Sequence, residues 1–424
     1  MTDIYISVDV GGSQTKIIYQ LPALPEPKFL VLPPAVEEIP KVKLDNYMSR
    51  LGWIGSPSPE QQLWVEWNER VVVLGDFAAC FDPQDRIKEL KYENALWKVL
   101  GAIGLIIETH KAKFSTKKLL TLELALLLPW NEYTDRLRFE EQLQIMLARF
   151  QVREMVLKLK LVKFLCRPEG GGLAAVRIKQ KGLEWLRSKQ LGVLMFGHRN
   201  TTALYFERGQ LKLGDSPLLG FADMLDQVVE MTSGLDRERL AQAIFAARYA
   251  ALDKVYNPNY PQTRHPNWGE CVAIQALASA KDPNLRAREI RDIVQAIERA
   301  TAEYGDKLER WLNRLLPTKL DEVIIGGGAA YHLEPELEIY FNCEVTTAYE
   351  SGSSWGSQKK VRSSSYQRRN QSKNFTPMIW GAGIADVVKK TFDLDKAIDG
   401  EQCLSQRLID CFGMFDYLLD KGNS

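Results

Sequence analysis

The sequence predicts an α/β chain built from two related domains. Three strands that end abruptly in glycine carry this reading: IYISVDVGG from Ile4, LGVLMFGH from Leu191 and DEVIIGGGAA from Asp321. The first two share one plan, in which a buried strand meets a tight glycine turn, then Ser/Thr and a second strand, KIIYQL or TALYFERG. A tight glycine turn between strands reads as a hairpin. Its occurrence near residue 10 and again near residue 196 implies two related halves. The third unit differs, because its glycines lead into AYHLEPEL, a strand-to-helix transition.

Apolar residues at helical spacing predict helices between these units. They run from Asp85 to Lys111, Asp135 to Phe150, Gly220 to Gly234 and Ala287 to Leu316. The proline-rich stretch from Leu21 to Lys41 must be extended or loop-like. LWVEW, with Trp64 and Trp67, reads as a strand, and the amphipathic stretch Gln406 to Lys421 as a helix docked on the fold.

At 424 residues the chain suits two domains. Its 55 basic and 54 acidic side chains give a net charge of +1, which excludes a general nucleic-acid binder with a strongly positive footprint. The six cysteines form no CxxC pair, and no His/Cys/Asp cluster has metal-ligand spacing, so a reducing cytosol is expected. The start, MTDIYISVDV, lacks the basic region of a signal peptide. The longest apolar stretch, Leu119 to Trp130, is too short to span a bilayer and contains Glu123. From Ser351 to Asn374 the chain is polar and basic, and reads as a solvated, disordered insertion or an electrostatic handle for DNA, lipid or an acidic partner.

The segment DVGGSQTK offers the chemistry of an anion site. Asp9 ends its strand, and Gly11 and Gly12 let backbone N–H groups approach an anion because no Cβ intervenes. Ser13 and Thr15 add hydroxyls and Lys16 a cation, while Asp9 is a candidate ligand for hydrated Mg²⁺. Alone, the segment is equally an ordinary Gly-Gly hairpin.

The three glycine-terminated strands, in this order, resemble the phosphate-1, phosphate-2 and adenosine motifs of the actin and sugar-kinase superfamily. Within it the chain looks most like the ParM/StbA-like bacterial actins. LLPWNEYTDR (Leu127 to Arg136), CRPEGGG (Cys166 to Gly172) and GDSPLLG (Gly214 to Gly220) match further family segments in family order, whereas the stretch after Ser351 matches poorly. The resemblance implies an actin-like fold, with two RNase H-like domains flanking a nucleotide cleft. Domain I would comprise 1–175 plus 375–424 and domain II 190–350, joined by 176–189, with 351–374 as the basic loop.

It also implies ATP and Mg²⁺ as ligands. Asp9 would order the metal through water, Gly11, Gly12, Ser13, Thr15 and Lys16 would meet the phosphates, and Gly197, His198, Arg199 and Asn200 would clasp them from the other side. Gly326, Gly327 and Gly328 would lie beneath the adenosine, and Glu169 would orient the attacking water. One position departs from the pattern: Met195 stands where the family carries an aspartate that helps bind the metal's waters, which implies slow hydrolysis or partial compensation by His198, Arg199 and Asn200 contacting phosphate directly.

The function so implied is a cytoplasmic ATPase that assembles into dynamic filaments, for plasmid segregation or a related cytoskeletal role through a small adaptor protein bound to DNA or membrane. A cortical location through that adaptor is an alternative. A small-molecule kinase of the sugar type and a nucleotide-binding regulator that hydrolyses nothing are the competing readings.

Overall fold

The computed structural model describes residues 2–50, 58–83, 89–114, 117–255, 265–342, 376–394 and 404–420. The basic stretch 351–374, with the expectations attached to it, lies outside them. Two five-stranded sheets organise the described residues. The first has β1 (Ile4–Val10) at its centre, flanked by β2 (Thr15–Gln20) and β3 (Lys28–Leu32) on one side. On the other side come β7 (Leu120–Leu128) and β10 (Leu159–Pro168). The second centres on β11 (Gln190–Phe196), with β12 (Thr201–Glu207) and β13 (Gln210–Asp215) on one side. Its other side holds β14 (Glu322–Gly326) and β15 (Met378–Trp380).

Both sheets follow one plan. In each, the central strand pairs antiparallel with its successor, which pairs antiparallel with the next. On its other side the central strand pairs parallel, and that neighbour pairs parallel again. Parallel neighbours need crossover connections, and the chain supplies helices such as Lys91–Thr109 and Pro283–Leu315 within them. The two related halves expected from the glycine turns are thus two copies of one sheet topology.

β15 corrects the expected grouping. It pairs with β14 in the second sheet, whereas 375–424 had been placed with the first. Ile379 and Trp380 lie level with Ile324 and Ile325, so the strand extends the second sheet's apolar edge before the chain returns. The C-terminal helix Leu404–Asp420 does belong with the first sheet, and Leu408, Ile409 and Phe415 are buried there.

A third sheet runs in the order β4 (Val36–Ile39), β6 (Arg70–Leu74), β5 (Trp64–Trp67), β8 (Phe150–Val152), β9 (Met155–Leu157), and the sequence predicts only its Trp64–Trp67 strand. Its β4 (Val36–Ile39) and the neighbouring β3 occupy the proline-rich stretch, which is extended as expected. Each main sheet has its own apolar core, and a third cluster joins them. That cluster includes Ile18, Leu173, Val193, Ile324 and Leu408, and so lies between the two sheets.

The crossing of two helices in this joint depends on glycine. A Cβ on Gly172 would overlap the Asp410 carbonyl oxygen, and one on Gly413 would overlap the Gly172 carbonyl. Backbones this close admit no side chain at either position.

Candidate functional site

The two hairpin turns face one another across the joint. In the first, Asp9 stands opposite Lys16 in the β1–β2 ladder, so both side chains leave the same face. Lys16 Nζ donates to Asp9 Oδ2 at 2.7 Å, and both residues are buried. In the second turn, Gly197 N–H donates to the Asn200 carbonyl at 3.0 Å and closes the hairpin. A Cβ on Gly12 would lie 3.2 Å from Arg199 Cβ, so the turns touch where the first has no side chain.

The second turn is also fixed from below. Helix Phe221–Met231 spends its leading donors there: Phe221 N–H on the Gly197 carbonyl at 3.1 Å and Ala222 N–H on the His198 carbonyl at 2.9 Å. Such first-turn donors otherwise seek an anion or a cap. This approach requires Gly220, whose Cβ would overlap the backbone of His198 and Arg199.

Glu169 lies at the centre of the contact. Its N–H continues the β7–β10 ladder to the Leu128 carbonyl at 2.8 Å, and Gly170 follows in the left-handed region at φ 87°. Lys91 Nζ donates to Glu169 Oε1 at 2.5 Å. Thr202 Oγ1 and Asn200 Nδ2, both from the second sheet's hairpin, donate to Oε2 at 3.2 and 3.5 Å. Thr202 also shares a 2.5 Å contact with Ser216 Oγ, which accepts the Trp130 N–H at 2.8 Å. A hydroxyl has one proton, so donation by Thr202 to Glu169 makes Ser216 the donor to Thr202.

A second buried carboxylate completes the arrangement. Glu132 accepts the Tyr92 N–H at 3.0 Å and faces Arg199 Nη2 at 3.3 Å. Burial pushes its carboxyl above the ordinary range, against the Tyr92 N–H and the charges of Arg199 and Lys91. Asp410, fully buried on the C-terminal helix, accepts N–H groups from Gly170 at 2.8 Å and Leu173 at 3.0 Å. Burial and the nearby charge of Asp9 push its carboxyl up to about 7, while those two N–H groups pull the other way.

The glycine run Gly326–Gly328 lies beside the second turn. Gly326 is level with Met195 in the β11–β14 ladder, and a Cβ on Gly327, at φ 98°, would overlap the Phe196 carbonyl. A Cβ on Gly328 would meet nothing within 4 Å. Trp380, Tyr331 and Gln406 line the small cavity beside Gly326 and Gly327.

The structure therefore brings together Asp9, Gly11, Gly12, Lys16, Glu169, His198, Arg199 and Asn200, with Gly326–Gly328 adjacent. Ser13 is exposed at the first turn, and its Oγ accepts from Arg407 Nη2 at 3.4 Å. Thr15 is fully buried. Sequence reading missed Lys91, Glu132, Thr202 and Asp410. Glu132 and Asp410 lie in segments singled out above, whereas Lys91 stands in the charged first turn of an otherwise apolar, buried helix, with nothing in the sequence to separate it from solvated lysines.

No family model matches the chain, and no curated protein matches it. Solved structures do. The chain is similar to ParM of Bacillus thuringiensis with ATP, at a TM-score of 0.52 and 11% identity, with 100% of both chains covered. The same protein with ADP gives 0.51 and 11%, with 99% of each chain covered. The chain has the actin-like fold. An archaeal actin homolog, Ta0583, is similar at a TM-score of 0.48 and 12% identity over 99% of both chains. At such identities an actin-like fold is established by the likeness, and the activity must be argued from the site.

Proposed function

We propose that this actin-like protein binds ATP between its two glycine turns, hydrolyses it slowly and assembles head to tail into nucleotide-dependent filaments. The observation that carries the reading is a set of buried polar atoms without a hydrogen-bond partner at the facing turns: Gln14 Oε1, Thr15 Oγ1, Arg199 Nε and Asn200 Oδ1. Unsatisfied buried groups are costly, and these four, among others elsewhere in the described residues, stand on the two facing turns, where a polar ligand would satisfy them. The turns touch at Gly12 and Arg199, so they would have to part to admit a ligand; once parted, they would present cationic and backbone donors from both sides, which suits a polyphosphate.

Asp9 and Lys16 would hold the phosphates from the first turn, and Arg199, His198 and Asn200 from the second. Glu169, buried beside the second turn, would orient the attacking water, a role in which position matters more than covalent chemistry. Among the described residues no group of three or more His, Cys, Asp or Glu side chains could hold a metal by itself. The donor set therefore fits Mg²⁺ only in its usual nucleotide form, with one carboxylate, Asp9, beside phosphate oxygens. When bound, the ion would neutralise charge on those oxygens.

Self-assembly would be coupled to the proposed nucleotide link between the domains. A repeated heterologous contact that does not close gives a filament, and a change of about 2–3 kcal/mol in that contact shifts its affinity roughly 30- to 150-fold. A small adaptor protein, bound to DNA or to a membrane, would connect such a filament to cargo. Among the described residues no helix is long and apolar enough to cross a membrane. Met195 and the Lys91–Glu169 pair favour one other reading, a nucleotide-binding regulator that does not hydrolyse.

Calorimetric titration with ATP and ADP, with and without Mg²⁺, tests the binding. Saturable binding at one site per chain is expected. Absence of heat and of thermal stabilisation with every nucleotide would overturn the reading.

A further inference from the structure

We propose that Lys91 is the residue by which the cleft distinguishes a nucleoside triphosphate from a diphosphate. This rests on the nucleotide reading above and goes beyond it, since Lys91 belongs to none of the glycine motifs. In the structure its ammonium is held on Glu169 Oε1 at 2.5 Å, and both residues are buried. A buried ion pair is a poor source of stability compared with apolar packing, so its retention beside a ligand site asks for another reason.

The surroundings allow the pair to open from one side. The backbone at Lys91 is pinned, because the next N–H, that of Tyr92, is bound to Glu132 at 3.0 Å. The side chain is a flexible four-carbon stem carrying a point charge. If the ammonium leaves, Glu169 Oε2 keeps its donors from Thr202 and Asn200, and only Oε1 is released. The released oxygen is then free to accept a proton from water. Departure of Lys91 would thus convert Glu169 from the partner of a cation into an acceptor held by its other oxygen.

The charges of the cleft say what would draw Lys91 away. Lys16, Lys91 and Arg199 are each paired, with Asp9, Glu169 and Glu132 respectively, and buried Lys98 adds a further cation near Lys91, its ammonium pushed down to about 8 by burial and by the charge of Lys91. A terminal phosphate adds negative charge where Met195, rather than a carboxylate, occupies the end of β11. It competes with Glu169 for the Lys91 ammonium, and a diphosphate lacks the group that competes. Recognition of the third phosphate and release of the water-orienting oxygen become one event.

The test compares ATP and ADP affinities of the wild type, Lys91→Gln, Lys91→Arg and Glu169→Gln, with thermal melts of each. Lys91→Gln should weaken ATP roughly 10- to 100-fold, the loss of one charge-assisted hydrogen bond, and ADP by less than about threefold. Lys91→Arg should restore most of the difference. Glu169→Gln should tighten ATP selectively, because Lys91 no longer leaves a carboxylate. Equal losses for ATP and ADP in Lys91→Gln, or no loss for either, would overturn the proposal. If Lys91→Gln does not fold, an unchanged ATP/ADP ratio in Glu169→Gln would do so. Wild type that binds both nucleotides with a ratio insensitive to these changes removes only the role of Lys91, whereas wild type that binds neither removes the nucleotide site as well.

Discussion

Asp9 and Met195 occupy the same place in two copies of one structural unit. Each is the last residue but one of a central strand, Ile4–Val10 or Gln190–Phe196. Each precedes a hairpin turn and stands opposite a residue of the next strand, Lys16 for Asp9 and Thr202 for Met195. Each has a parallel neighbour on its other side, Leu127 or Gly326. The first copy ends in a carboxylate and the second in a thioether. On the proposed reading, the second turn would meet phosphate through His198, Arg199 and Asn200, with no carboxylate at the strand end beside them.

Restoring the missing charge should therefore change the chemistry. Met195→Asp is expected to raise Mg²⁺-dependent phosphate release by about 10- to 100-fold, the value of one charge-assisted contact in the transition state. Without metal the new buried carboxylate should lower the melting temperature, since Met195 is only 7% exposed. Phosphate release and melting curves with and without Mg²⁺ check both halves. A rate unchanged in a folded variant would show that the second strand end does not govern hydrolysis.

Asp9 calls for a conservative change. Asp9→Ala strands the buried Lys16 ammonium and is expected to cost about 3–5 kcal/mol of stability. Asp9→Asn keeps an acceptor for Lys16 and should reduce mainly the part of ATP affinity that Mg²⁺ adds. Titrations with metal and with chelator separate these contributions. Equal affinity for Mg²⁺-ATP in wild type and Asp9→Asn would remove Asp9 from the metal's surroundings.

Asp410 predicts a pH dependence. Its carboxyl is raised from 3.8 to about 7 in the folded protein, so between those values the folded state holds a proton that the unfolded state has lost. The contribution to stability is complete below about pH 4 and falls, by up to about 1.4 kcal/mol per pH unit, as pH rises towards 7. Asp410→Asn should remove that decline. Urea denaturation across the window measures it, and identical slopes in the two proteins would contradict the burial argument.

The helix crossing gives a purely steric prediction. Gly172→Ala and Gly413→Ala each place a methyl group into the opposing backbone, and each should cost at least about 1–3 kcal/mol. Gly182→Ala is a less decisive control, because its φ of 88° is itself strained for alanine. Gly328→Ala, with nothing near its Cβ, should leave stability within about 0.5 kcal/mol of wild type. Chemical denaturation of the four variants ranks them, and a stable Gly172→Ala protein would mean that the helices can separate freely.

Much of the fold was legible because the elements that define it are locally encoded. Strands such as Ile4–Val10 and Gln190–Phe196 are apolar runs closed by glycine, and Pro283–Leu315 carries a helical apolar stripe. The strand Met378–Trp380 was misplaced because three residues carry no signal of which sheet edge they will join. The small third sheet escaped because its two hairpins are short and meet only where Val65 and Glu66 pair with Val152 and Gln151, far apart in the chain. At the site, the glycine turns could be read because backbone approach demands particular residues. Lys91, Glu132 and Asp410 could not, since their meeting with Glu169, Arg199 and Gly170 depends on segments 78, 67 and 240 positions apart in the chain.

The most direct measurement follows phosphate release and light scattering together in the same samples, for wild type and Glu169→Gln, with ATP, ADP and a non-hydrolysable analogue. The account predicts scattering that rises with ATP and the analogue but not ADP, and that decays in wild type as phosphate accumulates. Glu169→Gln should scatter as strongly with ATP, persist longer and release phosphate at least about 10-fold more slowly. No scattering with any nucleotide, despite bound ATP, would contradict the filament, and unchanged phosphate release in folded Glu169→Gln would contradict the role given to Glu169.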